Sequence, residues 1–207
     1  MTKAIIFDVD GILLDSFEAN FILFQRLMDA AGYPPPTLET YRPVFHRTLH
    51  DAIQILANTN DEDETKRIQD CIEKIDTPPA SLSDGVGETI EMLSKHYLLA
   101  IATSRIKAYA FEPPLNMLEH YFKIAVTYED TEKHKPDPEP LLLAAKQLGV
   151  IPEECVYVGD VRNDFDAAHA AGMKFILYSQ ESADWAPIHT NNFREIPSLL
   201  SRQIGVN

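Results

Sequence analysis

The segment Ala4-Ile5-Ile6-Phe7-Asp8-Val9-Asp10-Gly11-Ile12-Leu13-Leu14-Asp15 opens with four apolar residues, a run that predicts a short strand buried on both faces. The run stops at two aspartates spaced i and i+2. A glycine follows, which lets the backbone turn tightly. Two carboxylates at the end of a buried strand repel each other and resist desolvation, so stability alone would not select them. Taken alone, the pattern also suits a strand that ends in an acidic turn. Partners for Asp8 and Asp10 elsewhere in the chain decide between the two readings.

The 207 residues are enough for one domain, or a domain with a modest insertion, around a real core. Acidic residues outnumber basic ones 32 to 18, a net charge of −14. That balance argues against nucleic acid and anionic membranes as partners, because phosphate backbones are bound by clustered Lys and Arg. It leaves room for a small phosphorylated metabolite, which needs only local positive charge or a metal. Cys71 and Cys155 are too few and too far apart for a disulfide framework or a zinc site. With no signal peptide and no apolar run of spanning length, the expected location is the cytoplasm.

After Asp15, Ser16 is placed to cap a helix whose stripe is Phe17, Phe21, Phe24, Leu27, Met28 and Ala31. Gly32 and Pro34-Pro35-Pro36 end it. Thr48 and Asp51 start a second helix carrying Leu49, Ala52, Ile53 and Leu56. The acidic run Asp61–Glu64 suits a helix N-terminus, where the macrodipole favours negative charge, and Ile68, Cys71, Ile72 and Ile75 continue as its buried stripe. The linker chemistry of residues 76–83 closes this part. Residues 16–80 therefore read as an all-helical insertion between 1–15 and 81–207.

From there helices and strands alternate. Strands are expected at Tyr97–Ala102, Lys123–Val126, Cys155–Val158 and Lys174–Tyr178, with helices around Val86–Leu93, Leu141–Leu148, Ala167–Ala171 and Ile196–Ile204. A helical stretch broken by Pro113-Pro114 is expected before the second of these strands. With the first strand this gives an α/β fold of about five parallel strands, Rossmann-like and doubly wound, covered by helices on both faces. Ligands of such sheets sit beyond the carboxyl ends of the strands, near a switch in strand order. That rule selects Asp8 and Asp10, Thr103 and Ser104, and Asp160 and Asp164, which follow three different strands.

These residues resemble the four motifs of the haloacid dehalogenase superfamily, in its phosphatase branch with a helical cap inserted after the first motif. The first is Phe7-Asp8-Val9-Asp10-Gly11-Ile12-Leu13-Leu14-Asp15-Ser16, the second Thr103, and the third Lys135 in Lys135-Pro136-Asp137-Pro138-Glu139-Pro140. The fourth is Val158-Gly159-Asp160-Val161-Arg162-Asn163-Asp164. The likeness runs from Ala4 to about Tyr178 and is similar to phosphoglycolate-phosphatase-like enzymes. Ile12 and Val161 depart from the usual Thr or Val and Ser or Thr; Val161 lacks a hydroxyl that would bond near the metal.

The resemblance implies Asp8 as nucleophile and metal ligand, and Asp10 as proton donor and acceptor with its carbonyl on the metal. It implies Thr103 and Ser104 on the phosphoryl oxygens and Lys135 as charge stabiliser. Asp160 would ligate Mg²⁺, with Asp164 binding directly or through water. A hard cation with carboxylate ligands fits a phosphomonoester, whose charge must be neutralised before an anionic nucleophile approaches. The cap would select the substrate, with Arg42, His46 and Arg47 as candidates, and with Arg105 and Lys107 from the core side. A monomer or weak homodimer is expected. A sugar-phosphate mutase of the β-phosphoglucomutase kind shares the same motifs. A receiver-like phosphoaspartate domain is disfavoured by the helical insertion and by Asp160 and Asp164, and dehalogenation by Asp10 and Asp160.

Overall fold

A computed structural model of the chain describes residues 1–76 and 78–201. It divides into two compact units, one of Met1–Asp15 with the chain from Ser81 onward, the other Ser16–Ala80. The first unit opens with β1 (Ala4–Phe7), all four residues buried, and β2 (Leu14–Asp15).

The helical unit follows, with α1 (Phe17–Ala30), α2 (Leu38–Tyr41), α3 (Leu49–Ala57) and α4 (Glu62–Gln69). The predicted stripes form its core, where Leu27, Met28, Ile53 and Ile68 are fully buried. Phe17, Phe21 and Phe24 gather round the buried Tyr41 ring at centroid distances of 5.4 to 5.7 Å. Thr48 caps α3 by accepting the Asp51 N–H at 3.1 Å, and Asp61 caps α4 by accepting from Asp63 and Glu64. Two expectations fail locally. Ser16 sits in helical conformation and its side chain makes no cap bond. The α4 stripe does not continue as one helix, because the chain tightens at Asp70–Lys74 into a 3₁₀ turn that carries Cys71 and Ile72.

The first unit resumes with β3 (Ser81–Leu82), antiparallel to β2, then α5 (Val86–Ser94), β4 (Leu98–Ala102) and β5 (Phe122–Val126). It continues through α6 (Glu139–Leu148), β6 (Cys155–Gly159), α7 (Arg162–Ala170), β7 (Lys174–Tyr178), β8 (His189–Thr190) and α8 (Ile196–Leu199). The sheet has six strands in the order β5-β4-β1-β6-β7-β8, every pairing parallel. The count exceeds the expected five because β8 is a two-residue strand with no apolar run to announce it. The stretch before β5 contains 3₁₀ turns at Lys107–Tyr109 and Leu115–Tyr121 rather than a broken α-helix. Of the last expected helix only Ile196–Leu199 is α-helical, and residues 202–204 lie outside the described residues.

Both faces of the sheet are covered. Ala144 and Ala145 of α6 and Ala167 and Ala168 of α7 belong to one core with Ile6, Ala100 and Tyr157. Phe7, one residue on from Ile6, stacks on Phe193 at 5.9 Å and meets Phe122 edge-on at 6.3 Å. β1 lies between β4 and β6, and the chain winds outward from it in both directions. The residues that leave β1, β4 and β6 are thereby neighbours at one edge, beside the switch in strand order. No helix among the described residues is long and apolar enough to cross a membrane.

Candidate active site

Asp8 leaves β1 with its N–H bonded to the Val158 carbonyl at 3.0 Å, so the adjacent strand fixes its backbone. Its Oδ1 accepts the Val9 N–H at 2.8 Å, and its Oδ2 lies 3.0 Å from Lys135 Nζ. The turn beyond Asp8 is closed by Gly11 N–H to the Leu14 carbonyl at 2.9 Å, with Gly11 at φ +75°. A Cβ at Gly11 would stand 2.2 Å from Asp160 Oδ2, and one at Gly159 would stand 2.5 Å from Asp164 Oδ2. Both glycines are therefore required for the carboxylates of β6 and α7 to come so close to the backbone.

Carboxylate oxygens of Asp8, Asp160 and Asp164 lie within 4.8 Å of one another. Burial first, and then its acidic neighbours, push the Asp8 carboxyl up to about 6 against the opposing pull of Lys135. The same causes, with Asp164 and Asp8 as the charges, raise Asp160 well above the usual carboxylate range. The donor set is all oxygen and carries excess negative charge, with Asp8, Asp10, Asp160 and Asp164 facing Lys135 and Arg105. Such a set fits a hard divalent cation such as Mg²⁺.

Asp164 occupies the first turn of α7 and is fully buried. Its Oδ2 accepts the N–H groups of Asp160 and Val161 at 3.1 and 3.4 Å. Its Oδ1 accepts from Lys135 at 2.8 Å and lies 3.4 Å from the Tyr157 hydroxyl oxygen. With Oδ2 on two backbone N–H groups and Oδ1 on the ammonium, Asp164 ties the Asp160 loop to Lys135. Burial alone would lower the Lys135 ammonium, but Asp164 and Asp8 outweigh it and hold the group well above its ordinary value. The loop bearing Lys135 is tied to α6, because Glu139 accepts the N–H groups of Glu132 and Lys133 at 3.2 and 3.0 Å.

Thr103 is buried just past β4, its N–H on the Val126 carbonyl at 3.0 Å and its hydroxyl accepting the Arg105 N–H at 3.2 Å. Ser104, next to it, is half-buried. Arg105, expected to face substrate, instead grips Asp10. Lys107 is exposed, its N–H on the Glu129 carboxylate. Arg42, His46 and Arg47 share one exposed turn of the helical unit, where Arg42 lies 5.4 Å over Phe17 and His46 packs on Phe45. Two participants were not singled out from the sequence. The Tyr157 hydroxyl accepts from Lys135 at 2.9 Å and donates to the Ala102 carbonyl at 3.1 Å. Glu112 meets Arg105 at 3.3 Å. Tyr157 carried one faint signal, a hydroxyl in an otherwise apolar strand.

Residues 5–178 match the family described as haloacid dehalogenase-like hydrolase. A phosphoglycolate phosphatase from Xylella fastidiosa is 32% identical over 97% of this chain and 92% of its own length. A phosphorylated carbohydrates phosphatase from Thermotoga maritima is 30% identical over 84% of this chain and 83% of its own. Among solved structures, a HAD-superfamily hydrolase of subfamily IA from Geobacter sulfurreducens superposes with a TM-score of 0.74 at 29% identity, covering 97% of each chain. The ordered carboxylates, the lysine and the parallel sheet agree with that match, and the chain belongs to the haloacid dehalogenase-like hydrolase family.

Proposed function

We propose that this hydrolase is a Mg²⁺-dependent phosphatase of small phosphomonoesters, phosphoglycolate first among them, working through a phosphorylated Asp8. The observation that carries the proposal is the meeting of Asp8, Asp160 and Asp164 within 4.8 Å, with Lys135 3.0 Å from Asp8. Asp8 and Asp160 would hold the cation, whose bound charge offsets the repulsion between an anionic nucleophile and an anionic ester. Asp164 anchors Lys135 and the Asp160 loop beneath it.

In this reading an Asp8 oxygen attacks phosphorus in line and the ester oxygen departs, taking a proton from Asp10. Asp10 then accepts a proton from the water that hydrolyses the acyl phosphate, and Asp8 is regenerated. Lys135 neutralises charge on Asp8 and on the transferring oxygens. The Thr103 hydroxyl and the Ser104 N–H hold phosphoryl oxygens. Substrate choice falls to the helical unit, with Arg42, His46 and Arg47 as its candidate anion contacts. The relatives, named for phosphoglycolate and for phosphorylated carbohydrates, support a small phosphorylated metabolite as substrate. A small phosphorylated metabolite as substrate would suit an enzyme of the cytoplasm.

The test is phosphate release from a panel containing phosphoglycolate, sugar phosphates and p-nitrophenyl phosphate. Release that needs Mg²⁺, stops with EDTA and is lost in Asp8→Asn supports the proposal. A metal-loaded protein that releases no phosphate from any of them overturns it. Conversion of β-glucose 1-phosphate to glucose 6-phosphate without free phosphate would replace it with a mutase.

A further inference from the structure

Arg105 lies beyond β4, held between two carboxylates. Its Nε and Nη2 donate to Asp10 Oδ2 and Oδ1 at 2.8 and 2.7 Å, a two-pronged fork. Its Nη1 donates to Glu112 Oε2 at 3.3 Å and to the Tyr109 carbonyl at 3.1 Å. The side chain is only 11% exposed. All three guanidinium nitrogens are therefore engaged inside the protein. An incoming anion would have to displace one carboxylate while still facing the other. The guanidinium fork is planar and rigid, so it fixes the plane of a carboxylate as well as its position, which an ammonium does not do. A carboxylate oxygen has two lone-pair directions, so a single bond from Arg105 does not exhaust its capacity to carry a proton.

We propose that Arg105 is a positioning residue for Asp10, holding its carboxylate in one orientation for proton transfer, and that it does not read the substrate. Glu112 and the Tyr109 carbonyl brace the guanidinium from its other end. The inference rests on the phosphatase reading, in which Asp10 gives its proton to the leaving oxygen as the P–O bond breaks and regains one from the attacking water. Its consequence is a dependence on the leaving group. An alkoxide must be protonated as it departs, whereas p-nitrophenolate is a stable anion that departs with little help.

The experiment compares kcat/KM, which reports the first phosphoryl transfer, for phosphoglycolate or glucose 6-phosphate and for p-nitrophenyl phosphate. Arg105→Gln should lower the alkyl phosphate value by about 100-fold or more, through kcat, and the aryl phosphate value by less than about tenfold. Asp10→Asn should show the same selective loss, and the double variant should be no worse than Asp10→Asn alone. Arg105→Lys keeps the buried charge and so serves where Arg105→Gln does not fold. It should recover part of the activity, with the same selectivity. Equal losses on both esters overturn the proposal, because a general disturbance of the site spares neither. A loss confined to KM for substrates with a second anion also overturns it and makes Arg105 a substrate contact. Wild-type protein inactive on every ester would overturn the phosphatase reading and this one with it, whereas equal losses in an active background overturn this one alone.

Discussion

Lys135 Nζ stands 2.8 Å from Asp164 Oδ1, with the two side chains 7% and 0% exposed. A buried ion pair adds little net stability, because desolvation offsets most of the attraction, but removing one partner strands the other charge. Here Lys135 also serves Asp8 at 3.0 Å, so its loss would strand two carboxylates. Lys135→Met is expected to destabilise the protein by about 3–5 kcal/mol and to abolish phosphate release. Adding Asp164→Asn should restore much of the stability and none of the activity, since the charge that neutralises the phosphoryl oxygens is still missing. Urea denaturation with phosphate-release assays measures both. A Lys135→Met protein as stable as the wild type would show that the ammonium is not what holds the two acids together.

The Gly11 position is closed to any side chain for two independent reasons. Its φ of +75° is unfavourable for residues with a Cβ, and that atom would stand 2.2 Å from Asp160 Oδ2. The backbone conflict costs about 1–2 kcal/mol for an L-residue. The contact must also displace the Asp160 carboxylate, one of the proposed cation ligands. Gly11→Ala should therefore lower Mg²⁺ affinity as well as thermal stability, read by calorimetric titration and by melting. Gly32 makes the contrasting control, because its φ is +85° yet nothing lies within 4 Å of its Cβ position. Gly32→Ala should lose stability alone. Equal Mg²⁺ affinity in wild type and Gly11→Ala would remove Asp160 from the ligand set.

The sheet and the carboxylates were legible because both depend on local patterns. Asp8 directly follows an apolar run and Asp160 follows another after one glycine, and the helical stripes of the Ser16–Ala80 unit recur at the spacing of one helix face. What stayed hidden depends on distant partners or very short elements. Arg105 and Asp10 are 95 residues apart, and nothing near either announces the fork that joins them. Tyr157 reads as one more core aromatic until Lys135 arrives from 22 residues away. β8 is two residues long and pairs only because β7 offers a free edge there. The 3₁₀ turn at Asp70–Lys74 carries helix-like spacing, so its stripe does not show where α4 ends.

Metal and protons should compete for Asp8. Its carboxyl is pushed up to about 6 by burial and by its acidic neighbours, above the ordinary value of 3.8. With the folded value higher, the native state holds more protons than the unfolded chain between these limits. Without metal, this group's stabilising contribution is therefore fully present below 3.8 and lost as pH rises through about 6. Mg²⁺ needs deprotonated carboxylates, so the rise in Tm that it produces should be smaller at pH 5 than at pH 7. Titration near pH 6 in two buffers of different ionisation enthalpy should detect protons released on binding. The same Mg²⁺ shift at pH 5 and 7, without proton release, would place the cation away from Asp8.

The Tyr157 hydroxyl links the two halves of the site. It accepts from Lys135 at 2.9 Å and donates to the carbonyl of Ala102, the residue before Thr103, at 3.1 Å. The residue is fully buried, so no water replaces the hydroxyl once it is gone. Tyr157→Phe leaves the Ala102 carbonyl short of a donor and Lys135 with its two carboxylates. The cost expected for a buried group losing its partner is about 1–3 kcal/mol. Lys135 keeps both ion pairs, so phosphate release should fall only several-fold, mostly in kcat, far less than in Lys135→Met. The two variants thus separate the charge of Lys135 from its placement. If Tyr157→Phe abolished turnover while folding normally, the hydroxyl would have to act on the substrate itself. If it changed neither stability nor kcat, β4 and the lysine loop would be held together by their packing alone.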